Sequence, residues 1–369
     1  MRILTISHFF ESHGGGIERV AGELNRQFGR LGAIAVWAAS NSDPPPGGEI
    51  EVVPLSCINP TEKLTGLPMP IPGFRGICAL AREVRRSDAV VIHDALYATS
   101  VLAMLIAKAT GKRAILIQHI AGIPFASRIM RRIMSIANGL ITRPMLGAAD
   151  VRVFVSDTVR KDLLGHYGRS SELLFNGVNG SIFFRSEDPK TLSSSARQIL
   201  FVGRYVEKKG LTVLRALAAL RADLSFLLVG SGPIRPADWG LANVRDLGVL
   251  DQSHLAKLYR STDVLLLPSV GEGYPLVIQE AMACGLPVVC GAPSNRADPD
   301  AARWLRGVTI DLSEPSESAK RCSDAIDSIE LSETDRAEMA RYALRRYDWS
   351  AMARRLVELA QLPQGPVTS

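Results

Sequence analysis

Two glutamates, Glu272 and Glu280, stand with seven residues between them in the string Ser269-Val-Gly-Glu-Gly-Tyr-Pro-Leu-Val-Ile-Gln-Glu-Ala-Met-Ala-Cys-Gly285-Leu-Pro. The string reads as a loop, a helix and a stop. Gly271 and Gly273 bracket Glu272 in a turn, and Pro275 suits a first helical position. Gly285 with Pro287 ends the helix, so Glu272 lies at its N-terminus and Glu280 about two turns in. A helix N-terminus offers unpaired N–H groups and positive dipole character, which favour an anion such as a phosphate. Glu280 sits in the apolar run Leu276 to Ala283, where an idle carboxylate is costly. Both acids therefore point to binding chemistry.

Cationic partners occur upstream. Phe201-Val-Gly203-Arg204-Tyr-Val-Glu-Lys-Lys209-Gly210 places Arg204 and Lys209 just past a strand end, where they can neutralise a leaving diphosphate. Near the start, Gly14-Gly15-Gly16 precedes a helix, and glycines there allow close approach of backbone to a diphosphate. The dinucleotide fingerprint fails, because Arg19 stands where a small residue is required. That disfavours a redox enzyme.

The elements that must position these residues alternate. The first half shows strands at Arg2–Ser7, Ile34–Trp37, Ala89–His93, Ala114–Gln118 and Val151–Val155. After the first strand, a helix carries Ile17, Val20, Ala21, Leu24, Phe28 and Leu31 on one face. Asn41 to Gly76, rich in Pro and Gly, reads as a long loop of the kind that shapes binding sites. The second half repeats the grammar at Ile199–Val202, Leu224–Val229, Val264–Leu267 and Pro287–Cys290, after a polar linker-like stretch at Gly177–Ser195. The fold class is α/β, with two Rossmann-like, doubly wound domains facing across a cleft. Residues 1–176 form an N-terminal domain and residues 177–347 a second. A C-terminal helix, 348–369, packs back on the first.

The 369 residues bury a sizeable core, and 47% hydrophobic with 22% charged residues is ordinary for such a protein. Five scattered cysteines and the absence of a Cys-x-x-Cys pair or His cluster imply a reducing cytosol and no metal. Met1 runs straight into a strand, which leaves no room for a signal peptide, and the apolar run Ala95–Ala107 is too short to span a bilayer. The net charge of +6 resides in the first half: residues 1–170 hold 20 Lys/Arg against 13 Asp/Glu, the remainder 23 against 24. No nucleic-acid motif accompanies that basicity.

Read in order, Gly203-Arg204, Lys209-Gly210, Val229-Gly-Ser-Gly-Pro233, Asp263, Leu267-Pro-Ser269, Glu272 and Glu280 closely resemble the second domain of the glycosyltransferase family 4 enzymes. Gly15-Gly16-Ile-Glu18, Gln118-His119 and Asn176-Gly177-Val178 resemble the first domain more loosely. The resemblance implies a GT-B fold and a retaining, metal-independent hexosyl transfer from a UDP- or GDP-linked sugar, with no cofactor. It implies Arg204 and Lys209 on the diphosphate, Glu280 on the ribose, Glu272 on the donor sugar and His119 beside that sugar. Gly203, Gly273, Tyr274, Pro275 and Leu276 would lie near the phosphates, Gly15 and Gly16 would approach from the opposite domain, and Leu250 would close the stretch meeting the base. Pro275 departs from the family pattern, where glycine is usual, and removes one N–H donor.

The segment Ser127 to Arg143 combines Arg128, Arg131 and Arg132 with many Ile and Met residues. It reads either as a core helix with a basic outer face or as a helix laid on anionic lipid. We expect a peripheral protein of the inner membrane face. Its acceptor is a glycan or a lipid-linked glycan, and its product a cell-surface polysaccharide or glycolipid. The competing readings are a GT-B-fold sugar-nucleotide epimerase and a silent nucleotide-sugar-binding partner of another transferase.

Overall fold

The computed structural model describes residues 1–42, 44, 45, 48, 50–59, 69–122, 132, 135–165, 170–186 and 196–362. In chain order the strands are β1 (Arg2–Ile6), β2 (Ile34–Ser40), β3 (Glu51–Leu55), β4 (Cys57–Ile58), β5 (Ile71–Pro72), β6 (Ala89–His93), β7 (Arg113–Gln118), β8 (Val151–Phe154) and β9 (Glu172–Leu173). They continue with β10 (Gln198–Val202), β11 (Ser225–Val229), β12 (Val244–Asp246), β13 (Val264–Leu267), β14 (Val288–Gly291) and β15 (Leu305–Val308). Seven strands form one parallel sheet in the order β3-β2-β1-β6-β7-β8-β9, and six form a second in the order β12-β11-β10-β13-β14-β15.

Continuous Val/Ile/Leu runs explain the parallel sheets, since helices cover both faces and leave no polar side. Leu265, Leu266 and Leu267 in β13 and Val90 and Ile92 in β6 are wholly buried. Each sheet reverses its winding once, between β1 and β6 and between β10 and β13. In open α/β sheets such reversals open a crevice at the carboxyl ends of the strands, where ligands bind.

The stretch Asn41–Gly76, expected as loop, contains β3 paired in parallel with β2, from Val36↔Glu51 to Ser40↔Leu55. Pro54 sits in β3, an edge strand, where its missing N–H costs no ladder bond. Proline and glycine density hid a short edge strand.

The last helix, Trp349–Gln361, leaves the second sheet and packs against the first. Trp349, Met352, Leu356 and Leu359 share a core with Ile3, Val20, Leu24 and Phe28. Asp348 caps it, accepting from the backbone N–H groups of Ser350 and Ala351. Two further hydrogen bonds tie the halves: Asp157 N–H donates to Ala297 O at 2.7 Å and Thr158 Oγ1 to Pro293 O at 3.0 Å.

Candidate active site

The two winding reversals bring the predicted residues to facing strand ends. Gly203 and Arg204 follow β10, and Ser269 to Glu272 follow β13, so both flank the reversal of the second sheet. Glu272 is nearly buried. Lys209 Nζ lies 3.1 Å from Glu272 Oε1 and Lys208 Nζ 3.7 Å from it. Burial pushes the Glu272 carboxyl up, but the two ammonium groups outweigh it and the net shift is downward. Glu272 is thus an anion held by two lysines. Lys208 had no assigned part in the sequence reading. Arg204 is exposed and forms no ion pair among the described residues.

The helix after Glu272 spans Leu276–Ala283, with Pro275 as its N-cap at φ −60° and ψ 132°. Pro275 therefore precedes the helix and is not its first residue, and Glu280 lies a little over one turn in. Fixed φ suits this entry as well as it suits the first helical position. At the far end Gly285 takes φ +73°, and its N–H and that of Leu286 bond back to Met282 O and Ala281 O. That is the double bond of a Schellman stop.

Glu280 is 1% exposed. Arg19 donates to its Oε1 at 2.7 Å and the Tyr259 hydroxyl to its Oε2 at 3.2 Å. Arg19, the residue that breaks the dinucleotide fingerprint, thus reaches the glutamate expected at the ribose. Its signal was visible as an unexplained misfit, but its partner was not.

Gly273 touches the opposite domain. A Cβ there would stand 1.9 Å from His119 O, so only glycine permits this approach of the Glu272 loop to the end of β7. His119 lies just past β7 and is buried, and its ring Nε2 lies 2.9 Å from His93 Nδ1. Burial drives His119 down to about 3 and His93 well below its ordinary value, so both rings are neutral. Gly15 is the N-cap of the helix Gly16–Arg30, and Glu18 in its first turn accepts from His8 Nε2 at 2.9 Å.

Two predicted residues are spent elsewhere. The Tyr274 ring is buried and its hydroxyl pairs with that of Tyr347 at 2.9 Å, so its side chain belongs to the core and only its backbone is free for the loop. Leu276 packs partly buried against the core shared with the last helix. Leu250 is half-buried beyond β12, where Asp246 accepts from Tyr205 Oη and Gly248 N and so shapes residues 247–250. Ser269, quoted in the motif but given no role there, has its hydroxyl buried at the end of β13 without a hydrogen-bond partner. Arg132 is exposed, whereas Arg128 and Arg131 lie outside the described residues.

Residues 14–181 match the family described as glycosyltransferase family 4, and residues 196–327 that described as glycosyl transferases group 1. The chain belongs to glycosyltransferase family 4. Among its relatives, the phosphatidyl-myo-inositol mannosyltransferase of Mycobacterium leprae is 30% identical over 240 residues. That match spans 61% of this chain and 62% of the mycobacterial protein. The fold is GT-B. Sucrose-phosphate synthase from Thermosynechococcus elongatus superposes with a TM-score of 0.72 at 19% identity, covering 97% of this chain and 98% of that one. HepE of Anabaena, solved with UDP, superposes at 0.70 and 17% identity, covering 98% and 100%.

Proposed function

We propose that the protein is a retaining glycosyltransferase that moves a hexose from a UDP- or GDP-linked donor to a glycan or lipid-linked acceptor. One observation carries the proposal. Glu272, ionised by Lys209 and Lys208 at the mouth of a helix, is held by Gly273 against His119 of the opposite sheet. A sugar seated there meets an anion on one side and a polar strand end on the other. Its leaving diphosphate meets Arg204, Lys209 and a helix N-terminus.

Fixed cations in a dry site stabilise the developing charge without reorganisation, each contributing about 3 kcal/mol. They supply the neutralisation that a metal provides elsewhere, so we assign no metal. The buried, unpaired Ser269 hydroxyl adds a donor at the same strand end. Glu280 is assigned to the ribose. Proton removal from the acceptor falls to the departing phosphate on the same face of the sugar, because Glu272 is spoken for by its lysines and burial makes His119 and His93 poor proton acceptors.

The name of the mycobacterial relative supports a lipid headgroup as acceptor and a hexose as cargo, and the UDP complex of the Anabaena neighbour supports a nucleoside diphosphate. Exposed Phe74, Ile58, Ile136 and Leu140, with Arg75, Arg82, Arg132 and Arg143 also exposed, support an N-terminal domain that rests on anionic lipid. Among the described residues no helix is long and apolar enough to cross a membrane.

The test is nucleotide release from UDP-glucose and GDP-mannose, with and without vesicles containing phosphatidylinositol. Acceptor-dependent release of one nucleotide, insensitive to chelator and giving a product of unchanged anomeric configuration, is the expected result. Failure to bind either nucleotide, or turnover indifferent to acceptor, would sink the proposal.

A further inference from the structure

The chain passes between its two halves twice, at Asn176–Val178 and again at Tyr347–Trp349, and the two crossings lie against each other. Val178 N–H donates to Tyr347 O at 2.8 Å. A Cβ on Gly177 would stand 2.3 Å from Trp349 N, so glycine alone admits this contact. Beside the crossings sits an acid that the donor site does not use. Asp298 is 1% exposed, and its Oδ2 accepts the hydroxyls of Tyr342 and Tyr347, each at 2.8 Å. Its Oδ1 accepts the Asp300 N–H at 3.2 Å. An acid kept in a core is costly unless its hydrogen bonds are made, and here they are.

The hydroxyl network runs in one direction. A phenol carries one proton, and Tyr347 gives its own to Asp298. In the 2.9 Å contact between the hydroxyls of Tyr274 and Tyr347, Tyr274 is therefore the donor. Burial holds both phenols well above their ordinary range, so neither loses its proton. Phe175 packs edge-on against both rings, with centroids 5.8 Å away. The order Tyr274, Tyr347, Asp298 is thus anchored on a carboxylate and enclosed by aromatic rings.

Tyr274 stands between Gly273, which sits against His119 O, and Pro275, the N-cap of the helix that carries Glu280. Fixing its ring fixes the stretch that brings Glu272 to the opposite sheet. Asp298 has a tie to that side as well, since the carbonyl of its neighbour Ala297 accepts the Asp157 N–H.

We propose that Tyr347 is a positioning residue for glycosyl transfer. Its hydroxyl, anchored on Asp298, holds Tyr274 and so sets the Glu272–Gly273 loop against His119, while its backbone carbonyl clasps the first crossing. The inference rests on the transferase reading for the word transfer, but the coupling of Tyr347 to the loop stands without it.

Tyr347→Phe and Tyr274→Phe each remove the link between the two hydroxyls and keep the aromatic packing. Tyr342→Phe removes an equivalent bond to the same Asp298 oxygen but makes no bond to Tyr274, and serves as the control. Hydrogen exchange of the full chain, without ligand, follows the backbone amides of residues 270–276 by mass spectrometry. Exchange there should rise by about tenfold in Tyr347→Phe and Tyr274→Phe and stay within about twofold of wild type in Tyr342→Phe. Nucleotide release from UDP-glucose and GDP-mannose, with phosphatidylinositol vesicles present, gives kcat. It should fall by about tenfold in the same two variants and by no more in their double variant, because both remove one link. If Tyr347→Phe does not fold, Tyr274→Phe breaks the same link with Tyr347 still on Asp298. Loop exchange and kcat that follow the loss of thermal stability alike in all three single variants overturn the proposal, as does wild-type loop exchange in Tyr347→Phe. Wild type that releases nucleotide from neither donor removes the transferase reading, and the exchange comparison then decides the coupling by itself.

Discussion

Arg19 and Glu280, 261 residues apart in the chain, close a 2.7 Å ion pair between the helix after β1 and the helix after β13. Glu280 is nearly inaccessible, whereas the Arg19 side chain keeps 31% of its surface. The pair joins the domains at the carboxylate assigned to the donor ribose. If Glu280 takes the ribose as proposed, nucleotide binding competes with Arg19 for the same carboxylate.

That relationship is measurable. Arg19→Met strands the Glu280 carboxylate with one hydroxyl partner, and breaking such a pair should cost about 2 kcal/mol, less than a fully buried pair because Arg19 is partly solvated. Glu280→Gln should recover most of this loss in the double variant. Urea unfolding of the four proteins gives the coupling. It should shrink when saturating nucleotide is present, and a coupling near zero without nucleotide would mean the contact is not held in solution.

Glu272→Gln should lower transfer by about 10²–10³-fold, the usual effect of losing one preorganised charge, with little change in bare nucleotide affinity. Equal loss of both would reject its place at the sugar. Lys209→Met removes the nearer cation, so burial then dominates and the Glu272 carboxyl rises. Activity requiring the anion is present above that pKa and lost below it. The acid limb of the pH–rate profile should therefore move to higher pH in Lys209→Met, besides the fall in rate.

Gly273→Ala is sterically barred from the observed loop, since its Cβ would meet His119 O at 1.9 Å. Transfer should fall by about 10²-fold or more because the two halves of the site are pushed apart. Gly29→Ala, with nothing within 4 Å and a helical backbone, serves as the control. It should stabilise the fold by about 0.5–1 kcal/mol. Thermal melts and initial rates distinguish the two.

Asp94 links stability to pH. Its folded carboxyl titrates at about 6 against an ordinary 3.8, with His8, Glu18 and His119 as neighbours. A raised acid favours the folded state only when protonated, so its full contribution exists below 3.8 and is lost as pH rises through about 6. Asp94→Asn should accordingly raise stability by about 2–3 kcal/mol at pH 7.5 and change it little at pH 4. An unchanged melting temperature at pH 7.5 would contradict the burial of Asp94.

Phe74 is 82% exposed beside Arg75 at the start of a basic helix. Phe74→Ser should reduce sedimentation with phosphatidylglycerol vesicles, and added salt should reduce it further, since lipid charge attracts each nearby Lys or Arg by about 1 kcal/mol. Indifference of wild type to such vesicles would remove the membrane from the proposal.

Most strands were legible because parallel, doubly covered strands are unbroken apolar runs, as in β6 and β13. Edge strand β3 was not, since Pro54 and the surrounding glycines carry the signature of a loop. Glu280 was legible as a carboxylate with no cheap use in an apolar run, whereas Glu272, Lys209 and Gly273 drew their roles from the ordered motif that resembles the family. Asp94 was not legible: an acid after a strand is ordinary until its left-handed backbone and its burial are seen.

By itself the sequence determined the periodicity of the two sheets, the helix terminus behind Glu272 and the cations that follow β10. These are local properties, set by side-chain spacing, proline and glycine. Only the tertiary structure decided that Arg19 answers Glu280, that Gly273 touches His119 and that Asp94 is buried in a left-handed backbone. Those depend on where each sheet reverses and how the two sheets meet, and no spacing along the chain encodes a contact between residues hundreds of positions apart.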